Sequence, residues 1–273
     1  MITAEIMGGL GNQLYIIFML ISYSLDKNNE FYFEDKEIIN GVRKVVYWDN
    51  LFSNIKKSVI PVKQVNAMVK EKNANYNKLP KVDKKMTAKF MGYFQSFKYF
   101  ESNFSDILKM LKFDEIIEPY RNLYDFENSI SLHFRLGDYK ESKGYHPVLG
   151  LEYYERSLIH MINETKTDNW QILYFCEDED IEFIEKQIEI LQIEFPSFSF
   201  LRANSSMADW EQMLVMSLCA HNIIANSTYS WWAAYLNSRK NIVCCPNELF
   251  GPAAKIDIKL QDRYPVHWSI IQV

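Results

Sequence analysis

The sequence predicts an α/β protein with parallel strands and helices on both faces of the sheet. Three observations predict it. The chain opens as strand, glycine turn, helix and strand within residues 2–33. From Ser129 to Cys245, five strand-like segments alternate with four helix-like segments, the pattern of a parallel sheet wound through crossover helices. The residues that follow these strands are small, polar or paired with charge. In open parallel sheets, ligands bind at the carboxyl ends of the strands.

The elements follow in order. Residues 2–7 read as a strand, Gly8, Gly9 and Gly11 as a turn, the stretch through Leu25 as a helix, and 31–33 as a second strand. The apolar run 14–25 is shorter than the about 20 residues a bilayer requires. It follows a glycine turn with no Lys or Arg before it, so it reads as a buried helix, neither a membrane span nor a signal peptide. Residues 54–89 are polar, rich in Lys and Asn, and contain Pro61 and Pro80; loops and short helices are expected there. In the second half, strands are expected at 129–134, 172–176, 198–201, 222–225 and 241–245. Helices are expected at 151–164, 181–191, 207–220 and 230–237.

At about 150 residues per domain, 273 residues make roughly two domains. The division is expected at 1–124 and 125–273. With 48% hydrophobic and 24% charged residues, the chain has the composition of an ordinary globular protein, which excludes disorder and low-complexity scaffolds. Its 30 Lys and Arg against 35 Asp and Glu leave a net charge of −5 and no long basic run, so no nucleic-acid partner is expected. Cys176, Cys219, Cys244 and Cys245 lie in apolar runs without Cys-x-x-Cys spacing. Buried free thiols in a reducing, cytoplasmic compartment are expected, with peripheral attachment to a membrane left open. Four Asn-x-Ser/Thr sequons carry little weight without a secretory signal. The aromatic fraction, 15%, suits a large core, and some rings would also suit stacking on a sugar.

Four loops carry candidate chemistry. Gly8-Gly9-Leu10-Gly11-Asn12-Gln13 joins a strand to a helix and can bring backbone amides close to a ligand. It has Leu14 where a dinucleotide fingerprint needs its third glycine, and no Lys-Ser/Thr for a P-loop. A tight turn without a ligand is the other reading. His133-Phe134-Arg135-Leu136-Gly137-Asp138-Tyr139 ends a strand, and alternation puts His133 and Arg135 on one side. Arg binds diphosphate through its planar fork. Asp138 would orient it, hold a hydroxyl or act as a base, and a simple surface ion pair is the alternative. Glu177-Asp178-Glu179-Asp180 contains an Asp-x-Asp pattern that could hold a divalent metal or cap the next helix; capping plus one ligand contact is the favoured reading. Asn226-Ser227-Thr228-Tyr229-Ser230 gathers an amide and three side-chain hydroxyls of Ser and Thr at a helix start, a cradle for phosphate that needs no metal. Trp231 and Trp232 read as core anchors more than as sugar stackers.

Together these pieces resemble glycosyltransferase family 11, the α-1,2-fucosyltransferases. The carrying residues are Gly8 to Gln13, Gly92-Tyr93-Phe94-Gln95 followed by Tyr99-Phe100, His133 to Tyr139, Phe175-Cys176-Glu177-Asp178, and the long run from Ile223 to Leu236. One departure stands out: Leu136 occupies the place of the family's usual second Arg.

The resemblance implies a GT-B architecture of two Rossmann-like domains facing across a cleft. It implies inverting transfer from GDP-β-L-fucose, without a metal or other cofactor, to a hydroxyl of a galactose-terminated glycan. The site residues it implies are catalytic His133, Arg135 and Asp138, with donor-binding Gly9, Gly11, Asn12, Asp178, Asn226, Ser227, Thr228 and Ser230. Glu177 stands beside Asp138 as a candidate base. Three alternatives remain open: another GDP-sugar donor, a non-catalytic sugar-binding protein on the same fold, and a metal-dependent GT-A enzyme using Asp178 and Asp180.

Overall fold

The computed structural model describes residues 1–35, 38–39, 42–43, 45–142 and 144–273. Two compact units emerge: Met1–Pro119 with Asp257–Pro265, and Tyr120–Ile256 with Val266–Val273. The first therefore takes in a segment that the linear division gives to the second. The reason is a set of hydrogen bonds with distant partners, invisible to local pattern. Asn75 Nδ2 donates to Asp257 O at 2.9 Å, Lys259 N donates to Asn75 Oδ1 at 2.7 Å, and Lys98 pairs with Asp262 at 2.6 Å.

The chain begins with β1 (Ile2–Ala4), α1 (Leu10–Lys27), β2 (Phe33–Glu34), the pair β3 (Ile38–Ile39) and β4 (Val42–Arg43), β5 (Val59–Ile60), β6 (Ala67–Lys70), β7 (Ala88–Met91), α2 (Phe104–Leu111) and α3 (Phe113–Ile117). Strands β1, β7 and β6 form a parallel sheet in that order. Helix α1 is buried on nearly every side, because the sheet covers one face and aromatic rings cover another: Phe18 meets Phe100 and Phe104 at 5.6 and 5.8 Å between centroids. Asn28 ends it in the left-handed conformation. No helix among the described residues is long and apolar enough to cross a membrane.

Residues 54–89, expected as loops and short helices, contain a 3-10 turn but also β5, β6 and the start of β7. Strand β7 is central to its sheet, with Ala88 and Phe90 fully buried on one face. On the other face Lys89 pairs with Glu34 at 2.9 Å and Glu5 at 3.6 Å, so a buried cation breaks the apolar pattern.

The second unit is closer to expectation. It holds β8 (Ser129–His133), α4 (Leu151–Thr165), β9 (Gln171–Phe175), α5 (Ile181–Glu194), β10 (Ser199–Arg202), α6 (Asp209–Leu218), β11 (His221–Ile223), α7 (Thr228–Leu236) and β12 (Val243–Pro246). A short helix, α8 (Leu260–Arg263), lies in the segment belonging to the first unit, and the chain returns as β13 (Ser269–Ile271). This sixth strand is missing from the sequence reading, since a three-residue edge strand after Pro265 has no readable period. The sheet order is β10-β9-β8-β11-β12-β13, all neighbours parallel. The chain starts at the centre with β8, builds one wing, returns to the centre at β11 and builds the other. This is the doubly wound order of a Rossmann sheet, with its switch point between β8 and β11. Ile130, Leu132, Tyr153 and Leu158 are fully buried between β8 and α4. Trp232 is fully buried and Trp231 nearly so, Trp231 stacking on Tyr235 at 4.6 Å; both serve the core. All four cysteines are free, with Cys219, Cys244 and Cys245 buried.

Candidate functional site

The loops that leave β8 and β11 flank the switch point, where an open α/β sheet binds its ligand. Strand β8 continues its ladder one residue beyond His133: Phe134 N donates to Phe175 O at 2.9 Å. Phe134 and Leu136 then turn into the core, and Arg135 emerges on the opposite side. Its guanidinium pairs with Glu177, pairs with Asp138 at 2.5 Å, and lies over the Tyr139 ring at 5.0 Å. Gly137 turns the chain with φ +38°, and a Cβ there would come 2.5 Å from Glu177 Oε2. Asp180, buried at the end of the β9 loop, accepts Gly137 N–H at 2.8 Å and pairs with Lys140. The β8 and β9 loops are thus locked together around one permanent cation.

Three buried polar atoms here have no partner among the described residues: His133 Nδ1, Asn226 Oδ1 and His146 Nδ1. A buried polar atom left unpaired costs about 1–3 kcal/mol. His133 and His146 both feel the Arg135 charge, which makes this group of unpartnered atoms a candidate site for a polar ligand. Asn226 is anchored through its other amide atom, Nδ2 donating to Pro147 O at 2.8 Å, while its backbone carbonyl accepts Tyr139 Oη–H at 3.3 Å. His146 stacks on Tyr139 at 4.4 Å and 12°. His133 lies 5.4 Å from the ring of Tyr229. Lys140 and His146 were not singled out from the sequence, because each acts through a fold contact rather than a motif.

The other sequence candidates divide. Ser227 caps α7 by accepting Tyr229 N–H at 3.3 Å, and Thr228 opens the helix beside it, both partly exposed. Ser230 is fully buried and accepts Ala225 N–H at 3.2 Å, so it braces the turn and is not exposed for donor binding. Asp178 is exposed and pairs with Arg202 at the end of β10. Neither Asp178 nor Asp180 caps α5: no side chain there accepts a cap hydrogen bond. The two carboxylates of the Asp-x-Asp pattern are taken by different cations, Arg202 and Lys140.

In the first unit, Gly8 has φ +73° and lies directly against Asn12 Nδ2, leaving no room for a side chain. Gly9 precedes α1, and a Cβ on it would meet only open space. Gly11, expected in the turn, is the second residue of α1 and is buried. Asn12 Oδ1 accepts Gln95 Nε2–H at 2.7 Å.

Burial, reinforced by the Arg135 guanidinium, pulls the His133 imidazole down to about 3. Burial also lowers His146 and His221. The folded protein therefore refuses protons that the unfolded chain accepts below about 6.5. The unfolded state then binds more protons, so stability falls as pH drops through that value. Urea unfolding between pH 7.5 and 5 should show this loss. His133→Asn should reduce the slope by up to about 1.4 kcal/mol per pH unit, one proton's worth. Identical slopes in both proteins would mean that His133 is not held neutral.

The model of glycosyl transferase family 11 matches residues 4–272. The chain belongs to that family. An α-1,2-colitosyltransferase of Escherichia coli is 25% identical over 293 residues, covering 99% of both chains. WbnK, an O-antigen biosynthesis glycosyltransferase of Escherichia coli, is 29% identical over 171 residues, 58% of this chain and 54% of WbnK. Among solved structures, an Arabidopsis thaliana FUT1 mutant in complex with GDP aligns at TM-score 0.47 and 11% identity, covering 97% of this chain and 74% of that one. A family 9 glycosyl transferase from Veillonella parvula aligns at TM-score 0.49 and 9% identity, covering 99% and 86%. Family membership makes the protein a glycosyltransferase, which moves a sugar from a nucleotide-linked donor to a glycan acceptor. Its two α/β units, each on a parallel sheet, are the components of the GT-B fold class.

Proposed function

We propose that this glycosyltransferase moves L-fucose from GDP-β-L-fucose, with inversion, to O2 of a terminal galactoside. Arg135 carries the proposal: it is a permanent cation at the switch point, bordered by unpartnered His133 Nδ1 and Asn226 Oδ1. In the reaction the bond between sugar C1 and the phosphate oxygen breaks, and its electron pair passes to the diphosphate. The acceptor hydroxyl adds to the opposite face of C1 and gives up its proton. Arg135, the Ser227 and Thr228 hydroxyls and the positive end of α7 face the charge that grows on the leaving group. A diphosphate competes with Glu177 and Asp138 for the Arg135 fork, and a carboxylate it displaces is the base that takes the acceptor proton. Asp178 orients the nucleoside. Gly9 and Asn12 are the first unit's candidates for donor binding.

Metal independence is part of the reading. Asp178 and Asp180 are already held by Arg202 and Lys140, and the phosphate charge is met by Arg135. The four free thiols suit a reducing cytoplasm. A second donor has its own support, since the E. coli relative matched over its whole length is a colitosyltransferase, and colitose is L-fucose without its 3-hydroxyl. The test is a transfer assay with GDP-fucose, GDP-colitose and other GDP-sugars, a β-galactoside panel, and EDTA throughout, with products read by mass spectrometry. A fucosylated galactoside is the expected product. A colitosyl product alone would move the donor to the second reading. Activity restored only by Mn²⁺ would overturn the metal-free mechanism, and GDP-sugar binding without product would leave a sugar-binding protein.

A further inference from the structure

The motif Gly92-Tyr93-Phe94-Gln95 and the returning segment Asp257–Pro265 have no part in the mechanism above. They meet beside the glycine loop of the first unit. Arg263 is 5% exposed. Its Nη1 donates to Gln95 O and, at 2.8 Å, to Gln95 Oε1, and its Nη2 donates to Ala74 O at 3.1 Å. Gln95 Nε2 donates to Asn12 Oδ1 at 2.7 Å.

The polarity of this chain follows from its first member. A guanidinium has donors and no acceptor, so the Gln95 atom facing it must be oxygen. Gln95 nitrogen must then face Asn12, and the Asn12 atom that receives it must be oxygen. Asn12 is left presenting Nδ2, which lies against Gly8 and, among the described residues, donates to no protein group. An isolated Asn amide can turn by 180° to offer either atom; here a buried Arg chooses.

We propose that Arg263 and Gln95 form a positioning relay that locks the Asn12 amide with its N–H donors toward substrate. The relay makes this position selective for an acceptor oxygen, such as one on a phosphate or a sugar hydroxyl. It also explains why a segment near the chain end returns to the first unit. The proposal rests on the reading that Asn12 touches substrate.

Gln95→Glu tests it. The introduced carboxylate still accepts from Arg263, so the fold should hold, but it cannot donate to Asn12. The Asn12 amide turns to donate to that carboxylate and offers oxygen outward. With GDP-fucose and lactose, kcat/KM should fall at least ~10-fold, while the melting temperature is unchanged or raised. In an Asn12→Ala background the same Gln95→Glu change should alter kcat/KM less than ~2-fold, because no amide remains to turn. An equal loss in both backgrounds would overturn the relay, as would full activity in Gln95→Glu when Asn12→Ala is impaired. Full activity in Asn12→Ala would remove Asn12 from the substrate site and the relay's role with it.

Thermal denaturation reads the relay without any substrate. Gln95→Met and Asn12→Ala should be non-additive in melting temperature, since each breaks the same hydrogen bond. Strict additivity overturns the relay whatever the donor proves to be.

Discussion

Arg135→Ala is expected to lower kcat by at least about 10²-fold, with melting temperature nearly unchanged. The two effects separate because they draw on different contacts. Arg135 is about one quarter exposed and its ion pairs with Glu177 and Asp138 sit at a loop surface. Pairs of this kind contribute about 0–1 kcal/mol to stability. In the proposed mechanism the same charge faces a leaving diphosphate, where it is worth about 3 kcal/mol in the transition state, the amount lost on removing one preorganised donor. Removal also leaves Glu177 and Asp138 without their cation, so two carboxylates would repel the diphosphate. Arg135→Ala combined with Glu177→Gln separates the two candidate bases: part of the loss returns when Asp138 takes the acceptor proton, and activity falls further when Glu177 does. Arg135→Lys should fall between, keeping charge but losing the fork. Steady-state kcat and KM for GDP-fucose decide the matter, and near wild-type turnover in Arg135→Ala would remove this residue from the mechanism.

What the sequence made legible was mostly in the second unit, for a physical reason. Its central strands β8, β9 and β12 are buried on both faces, β9 and β12 read as apolar runs, and the loops at the carboxyl ends stand out by contrast. His133, Arg135, Asp138, Asn226, Ser227 and Thr228 could be named from that contrast, and the fold gathers their loops at the ends of β8 and β11. The first unit was harder to read. Strand β7 is central, yet Lys89 sits in it because Glu5 and Glu34 neutralise the charge, a pairing that no local pattern announces. Orientation was the other hidden quantity. Ser230 and Ser227 look alike in the sequence, but one hydroxyl turns inward to Ala225 N–H and the other caps α7 at the surface. Asp178 and Asp180 look like a pair, but two different cations divide them. The return of Asp257–Pro265 depends on partners more than 160 residues away, among them Gln95 and Lys98.

Leu136→Arg, which restores the family's usual second Arg, is expected to destabilise the protein and not to strengthen donor binding. The expectation follows from where the side chain goes. Leu136 is 6% exposed and packs in the same cluster as Phe134, Leu149 and Tyr154. Arg135 leaves the chain on the opposite side, toward Glu177 and Asp138. A guanidinium at 136 would enter a cluster whose members carry no carboxylate, and the nearby Asp180 is already held by Lys140. Burying an unpaired charge of this kind costs about 3–5 kcal/mol. For a domain of this size, 1 kcal/mol shifts the melting temperature by about 2–4 °C, so a fall of roughly 10 °C is expected. Leu136→Met keeps volume and polarity and should cost less than about 1.5 kcal/mol. KM for GDP-fucose should not improve in the folded fraction of Leu136→Arg. A stable Leu136→Arg protein that binds donor more tightly would show that this loop can turn position 136 outward. In that case the site would have room for the second cation that this chain replaces with a core residue.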